Sequence, residues 1–228
     1  MARRTLTCVA ASAALVLSPA VASTAMASDG DDLTAQQLAE QAKDNLLDAK
    51  SVHLELTDRS KAASTSKTQP TSMDLSLDRD GNCVGTMRMS RGGGSVEIVK
   101  QGDEVWMKPD TASWKAQVPG SQGDAVAELF KNRYIHGSTD DAVLKGMADI
   151  CDLNNFQKDI GTDSGSTADP VSLTKGEETT RDGTKVIPLK GEEAGTRATL
   201  YVTADSPHHL VEATQQGDGA DTTLTFTD

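Results

Sequence analysis

The chain has 228 residues, 36% hydrophobic and only 3% aromatic, with 22 Lys and Arg against 34 Asp and Glu, for a net charge of −12. That balance excludes phosphate-backbone binding and an electrostatic grip on anionic membranes as organising functions, because both need basic patches. Its length suits one sizeable core better than two.

Residues 1–27 have the layout of a cleavable secretory signal. Arg3 and Arg4 supply a positive start, Cys8 to Leu17 a short apolar stretch, and Ala25-Met26-Ala27 a small-residue cleavage site ahead of the polar Ser28-Asp29-Gly30-Asp31-Asp32 run. Arg3-Arg4-Thr5-Leu6 is also a loose twin-arginine match. The apolar stretch is short for a membrane span, and no later segment approaches ~18 uninterrupted apolar residues, so a soluble mature part, 28–228, is expected as a single domain. Cys8 precedes the apolar core and follows Thr5-Leu6-Thr7, which leaves no recognisable lipid-anchor cysteine. Cleavage removes Arg3 and Arg4 and no acid, making the remainder more negative still. It also leaves Cys83 and Cys151 as an even pair. In an oxidising compartment a disulfide is the economical reading, with two buried thiols as the alternative.

Along the mature chain, Thr34 and Gln37 have capping-box spacing, and Ala35, Leu38, Ala39, Ala42 and Leu46 recur at helical intervals, predicting an amphipathic helix to about Ala49. The period then becomes two. Val52, Leu54 and Leu56 alternate with His53, Glu55 and Thr57, as a half-buried strand requires. Residues 61–71 are rich in Ser, Thr and Lys and are expected to form an exposed loop. Met73, Leu75 and Leu77 lead through the Asp80-Gly81 hairpin signal to Cys83, Gly85, Met87 and Met89, and Gly-containing turns then give Val96/Ile98 and Val105/Met107. The result is an antiparallel meander with one covered face. Ala125, Val126, Leu129 and Phe130 form one helical stripe, and Val143, Leu144, Met147 and Cys151 a second that ends at the cysteine. Strands are expected again near 171–174, 185–189, 198–202, 209–213 and 222–226, with turns at Asp182-Gly183 and 217–219. Helix, strands, two helices and strands without a βαβ rhythm predict an α+β fold on a mainly antiparallel sheet.

Motifs for chemistry are scarce. Asp78-Arg79-Asp80-Gly81-Asn82 resembles the start of a calcium loop, but Cys83 stands where the sharp-turn Gly is needed. Arg91-Gly92-Gly93-Gly94 lacks the Lys-Ser/Thr ending and the following helix of a phosphate loop. His208 and His209 are adjacent, so on a strand they face opposite ways and do not chelate one ion together. No G-x-S-x-G elbow or carboxylate dyad is present. No catalytic residue, metal or cofactor is therefore assigned. The inner strand face is rich in Met73, Met87, Met89 and Met107, an adaptable lining for a ligand or an ordinary core. Trp106, opposite in parity to Val105 and Met107, is expected on the outer face or near Trp114.

The leader, the first helix, the phrase Asp48-Ala49-Lys50-Ser51-Val52-His53-Leu54-Glu55-Leu56, the turn Asp80-Gly81-Asn82-Cys83 and the string from Val96 to Lys108 together resemble actinobacterial LppX/LprG-type lipoproteins of the LolA-like group. The resemblance implies a curved antiparallel half-barrel whose concave face is covered by helices, enclosing an apolar cavity for acyl chains of lipids or lipoproteins. On that expectation, strand parity nominates Leu54, Leu56, Leu75, Met87, Met89, Ile98, Met107, Leu129, Phe130 and Met147 as cavity residues. The functional expectation is a non-enzymatic extracytoplasmic carrier of an apolar or acyl-chain ligand, with a peripheral membrane contact. The alternative is an envelope sensor or interaction module of the same fold, which binds a protein partner and has no cavity.

Overall fold

The computed structural model describes residues 32–227 apart from 67–68, 91, 119, 142–143, 163–171 and 194; the signal segment 1–27 lies outside the described residues. The chain opens with α1 (Ala35–Asp48), and the predicted capping box is formed: Gln37 N–H donates to Thr34 Oγ1 at 3.2 Å, and Thr34 N–H donates to Gln37 Oε1 at 2.9 Å. Ala35, Leu38, Ala42 and Leu46 form its buried stripe. Then β1 (Ser51–Asp58), β2 (Pro70–Asp78), β3 (Cys83–Met89), β4 (Ser95–Gln101), β5 (Glu104–Pro109) and β6 (Ile135–Ser138) make one antiparallel meander. A second comprises β7 (Thr174–Lys175), β8 (Thr179–Arg181), β9 (Thr184–Glu193), β10 (Thr196–Thr203), β11 (Leu210–Gly217) and β12 (Ala220–Thr227). The last strand returns to pair with β1, Leu54 opposite Phe226, and this joins the two meanders into one 12-stranded antiparallel sheet. The sheet curves but does not close, with β6 at one edge and β7 and β8, both paired with β9, at the other.

Two apolar clusters lie on the inner face. Val52 and Leu54, Leu75 and Leu77, Val96 and Ile98, and Val105 and Met107 of successive strands pack with Leu46, Leu144, Ala148, Cys151 and Leu153. The helices covering this half are α5 (Lys145–Ile150) and α6 (Leu153–Thr162). On the other half, Ala35, Leu38 and Ala42 of α1 meet Ile187, Leu189, Val202 and Ala204. Thus α1 crosses from one cluster to the other, its last buried residue belonging to the first. Cys83 and Cys151 are bonded, Cα atoms 5.3 Å apart, which ties the end of α5 to the start of β3 as expected. Glycine is required at position 85 in the middle of β3: a Cβ there would sit 2.0 Å from the Asp74 carbonyl and 2.8 Å from Leu75 Cδ2, so Leu75 closes over the bare backbone.

Several expectations are corrected. The stretch expected as an exposed loop over 61–71 contains α2 (Lys61–Thr65), because Ser60 Oγ accepts from Ala63 N–H and Ala63 is fully buried, and β2 begins at Pro70. The stripe Ala125, Val126, Leu129, Phe130 does lie on or beside a helix, α4 (Ser121–Leu129), but its buried residues are Gly123 and Ala127, and Leu129 is 61% exposed. Helices α3 (Thr111–Gln117) and α6 and the edge strand β6 were not anticipated. The expected strand at 171–174 is reduced to Thr174–Lys175, and Val171 lies outside the described residues.

Candidate functional site

The site is built around the end of α1, which has no glycine cap and no basic residue in its last turn. Helix termini leave carbonyls without intrahelical partners, so other side chains must serve them. Gln157, buried on α6, donates from Nε2 to Leu46 O and to Ala49 O, each at 2.9 Å. Arg79, from the β2–β3 turn, donates from Nε to Ala49 O at 2.9 Å and from Nη2 to Leu47 O. On the opposite flank Asn45 Nδ2 donates to His208 O at 2.6 Å, tying the helix to the β10–β11 connection. Three distant segments therefore hold the last turn of α1 against the sheet.

Beside this turn lies a half-enclosed cavity of about 400 Å³. Leu46 and Ala49 of the helix end, Val52 of β1, Leu210 and Val211 of β11 and Phe226 of β12 supply its apolar lining. Asn45, Asp48, Thr184, Thr203, His209 and Thr227 supply polar groups. Thr184 and Thr203 also border an adjoining, more polar recess with Lys185, Asp205 and Pro207. There Lys185 donates to Glu178, 3.2 Å away, and that contact holds its ammonium above the usual range. An apolar pocket opening onto a polar shelf suits a ligand with one greasy and one polar end.

None of the ten residues nominated from parity lines this cavity. Leu54, Leu75, Ile98 and Met107 are buried in the packed cluster beneath α5 and α6. Met87 is fully buried, Leu56, Met89 and Phe130 are half-buried, and Phe130 stacks on Trp114. Leu129 faces outward, and the Met147 side chain lies outside the described residues. Leu153 of α6 belongs to that packed cluster, and Phe156 and Ile160 pack against it. Leu46 and Val52 belong to apolar faces read from the sequence, whereas Leu210 and Phe226 fall in runs read only as strands.

The two adjacent histidines diverge, as expected. His208 is buried with Nδ1 2.9 Å from Thr203 O, and His209 lines the cavity. Trp106 takes the outer face, stacked on His136 with centroids 4.8 Å apart, and not against Trp114. Beside it, Lys108 and then Tyr134 donate to Glu97, holding that carboxyl below its usual range.

No family model matches the sequence, and no curated protein matches it. Solved structures do. LprF from Mycobacterium bovis is 15% identical with a TM-score of 0.53, the match covering 85% of this chain and 91% of that one. The Mycobacterium tuberculosis lipoprotein LppX is 15% identical with a TM-score of 0.49, over 85% and 93% of the two chains. A LolA superfamily protein from Nitrosomonas europaea aligns over 86% and 92% at 12% identity, with a TM-score of 0.25. At such identities a likeness speaks for architecture alone. The open antiparallel sheet with its helices therefore shares the fold of LprF.

Proposed function

We propose that the protein is an exported, non-enzymatic binding protein that shelters the apolar part of an amphiphilic ligand in the cavity beside the end of α1. The observation that carries this reading is a half-enclosed void of about 400 Å³ with an apolar lining and a polar mouth, kept open by a helix end braced from three sides. Its volume is at the lower end for ligand sites, which suits one acyl chain better than several. Burying each methylene contributes about 0.8 kcal/mol, so about fifteen methylenes offer about 12 kcal/mol, and an association cost of about 4 kcal/mol leaves about 8 kcal/mol, which corresponds to micromolar binding. Export is supported by the signal-like leader and by the disulfide.

The test is titration with a fluorescent single-chain fatty-acid analogue. Wild type should bind one equivalent in the micromolar range, and Leu210→Trp, which fills the void from β11, should weaken binding at least tenfold without unfolding the chain. Equal binding by the two proteins would rule out this cavity as the site.

A second reading has its own support. Leu144, Ala148, Cys151 and Leu153 pack against the inner face of the first meander, which suits a module that presents its surfaces to a protein partner in the envelope. Absence of any probe binding by wild type would favour it.

A further inference from the structure

On the outer face of the sheet, away from the cavity, the fold brings three metal-ligating groups together. His53 and Glu55 stand two apart on β1 and so project to the same side, and Asp74 of β2 lies directly opposite Glu55 in the antiparallel register. One potential ligand atom from each falls within 4.8 Å of the others. His53 Nε2 is 3.0 Å from Asp74 Oδ1 and 4.0 Å from Glu55 Oε1. Glu55 and Asp74 are like charges in a direct cross-strand pair, an arrangement that destabilises a sheet and that a cation bound between them would relieve. Among the described residues the ion pairs of both acids go to His53 alone, and none goes to a lysine or arginine.

We propose that His53, Glu55 and Asp74 form a surface site for a borderline divalent transition ion, Zn²⁺ being the natural occupant. One imidazole nitrogen and two carboxylate oxygens supply three ligands, and water completes the shell. All three residues stand on paired strands, so ordinary side-chain rotation closes the ligand atoms onto one ion without moving the backbone. The imidazole selects against Ca²⁺ and Mg²⁺, which prefer all-oxygen shells. The Glu55 and Asp74 side chains are exposed, 64% and 67% accessible, and His53 is half-buried at 35%, so the ion reaches them from solvent and stays exchangeable.

The experiment is calorimetric titration of EDTA-stripped, dialysed protein expressed from the full chain, using ZnCl₂ alone as the probe. One site per chain is expected, with a Kd of roughly 10 µM. His53→Ala and Asp74→Asn should each weaken it at least tenfold while leaving the circular-dichroism spectrum unchanged. His136→Ala, which removes the other exposed histidine paired with a carboxylate on this face, should leave it intact. Ca²⁺ should bind at least tenfold more weakly than Zn²⁺. The proposal is overturned by no saturable binding below about 100 µM, by Zn²⁺ affinity indifferent to His53→Ala, or by Ca²⁺ binding as tightly as Zn²⁺.

Discussion

Gln157→Leu is the sharpest test of how the end of α1 is held. Leucine keeps the apolar bulk of the side chain but removes the amide that serves Leu46 O and Ala49 O. Ala49 O retains Arg79 as a donor, so losing Gln157 there costs a modest hydrogen bond, about 0.5–1 kcal/mol. Leu46 O is left buried without that partner, and such an orphaned carbonyl costs about 1–3 kcal/mol. The total is about 1.5–4 kcal/mol, and with a urea m-value near 2–3 kcal/mol/M the midpoint should fall by about 1 M. Lys158→Leu, on the exposed neighbouring position of α6, is the control and should move it by less than about 0.2 M. Asn45, Leu46, Asp48 and Ala49 all line the cavity, so the loosened turn should also weaken fatty-acid probe binding in Gln157→Leu and not in Lys158→Leu. Because Gln157 and Arg79 share the Ala49 carbonyl, the double variant with Arg79→Ala should be measurably non-additive. A Gln157→Leu midpoint within about 0.2 M of wild type would refute the bracing argument.

Three further outcomes follow from the geometry. The Cys83–Cys151 bond spans 68 residues, so replacing both cysteines by alanine should cost about 4 kcal/mol in the loop-entropy account, measured by urea unfolding; a loss under about 1 kcal/mol would contradict it. Burial alone would raise the Asp110 carboxyl, but hydrogen bonds from Ser113 and Ser95 outweigh it and hold the group below its ordinary 3.8. A depressed folded value means that the stabilisation is complete above the ordinary value of 3.8 that the unfolded chain keeps, and is lost as the pH falls from there through the folded value. Asp110→Asn should therefore be less stable at neutral pH, the gap to wild type closing below about pH 4 in acid unfolding; a gap constant down to pH 2 would contradict this. Ser60→Ala should cost about 1 kcal/mol by removing the cap of α2, a test by thermal melting of whether 61–65 is a docked helix or loose chain.

Much of the fold was legible because period and turn chemistry agree locally. Thr34 with Gln37 announced α1, and Asp80-Gly81 between two alternating runs announced the β2–β3 hairpin. The helix α6 carries its own periodic signal: Leu153, Phe156, Gln157 and Ile160 recur at i, i+3, i+4 and i+7, interrupted on the same face only by Gln157, the polar residue that caps α1. That helix adds Leu153, Phe156 and Ile160 to the cover of the first meander. Parity told correctly that Leu54, Leu75, Ile98 and Met107 point inward, but inward-facing side chains line a void only where the opposing layer stands off, which is a tertiary property. The pairing of β1 with β12, which puts Val52 and Phe226 on one wall, spans almost the whole chain and leaves no local trace. The same holds for His53, Glu55 and Asp74, which become neighbours only through the β1–β2 register.

The claim on which the functional account rests is that the space beside α1 holds an apolar guest. Native mass spectrometry of protein purified from its own host tests it most directly. The account predicts a bound mass of about one amphiphile per chain, removed by organic solvent and recovered as a species with an acyl chain, and diminished in Leu210→Trp. A bare chain mass together with a clean solvent extract would contradict it.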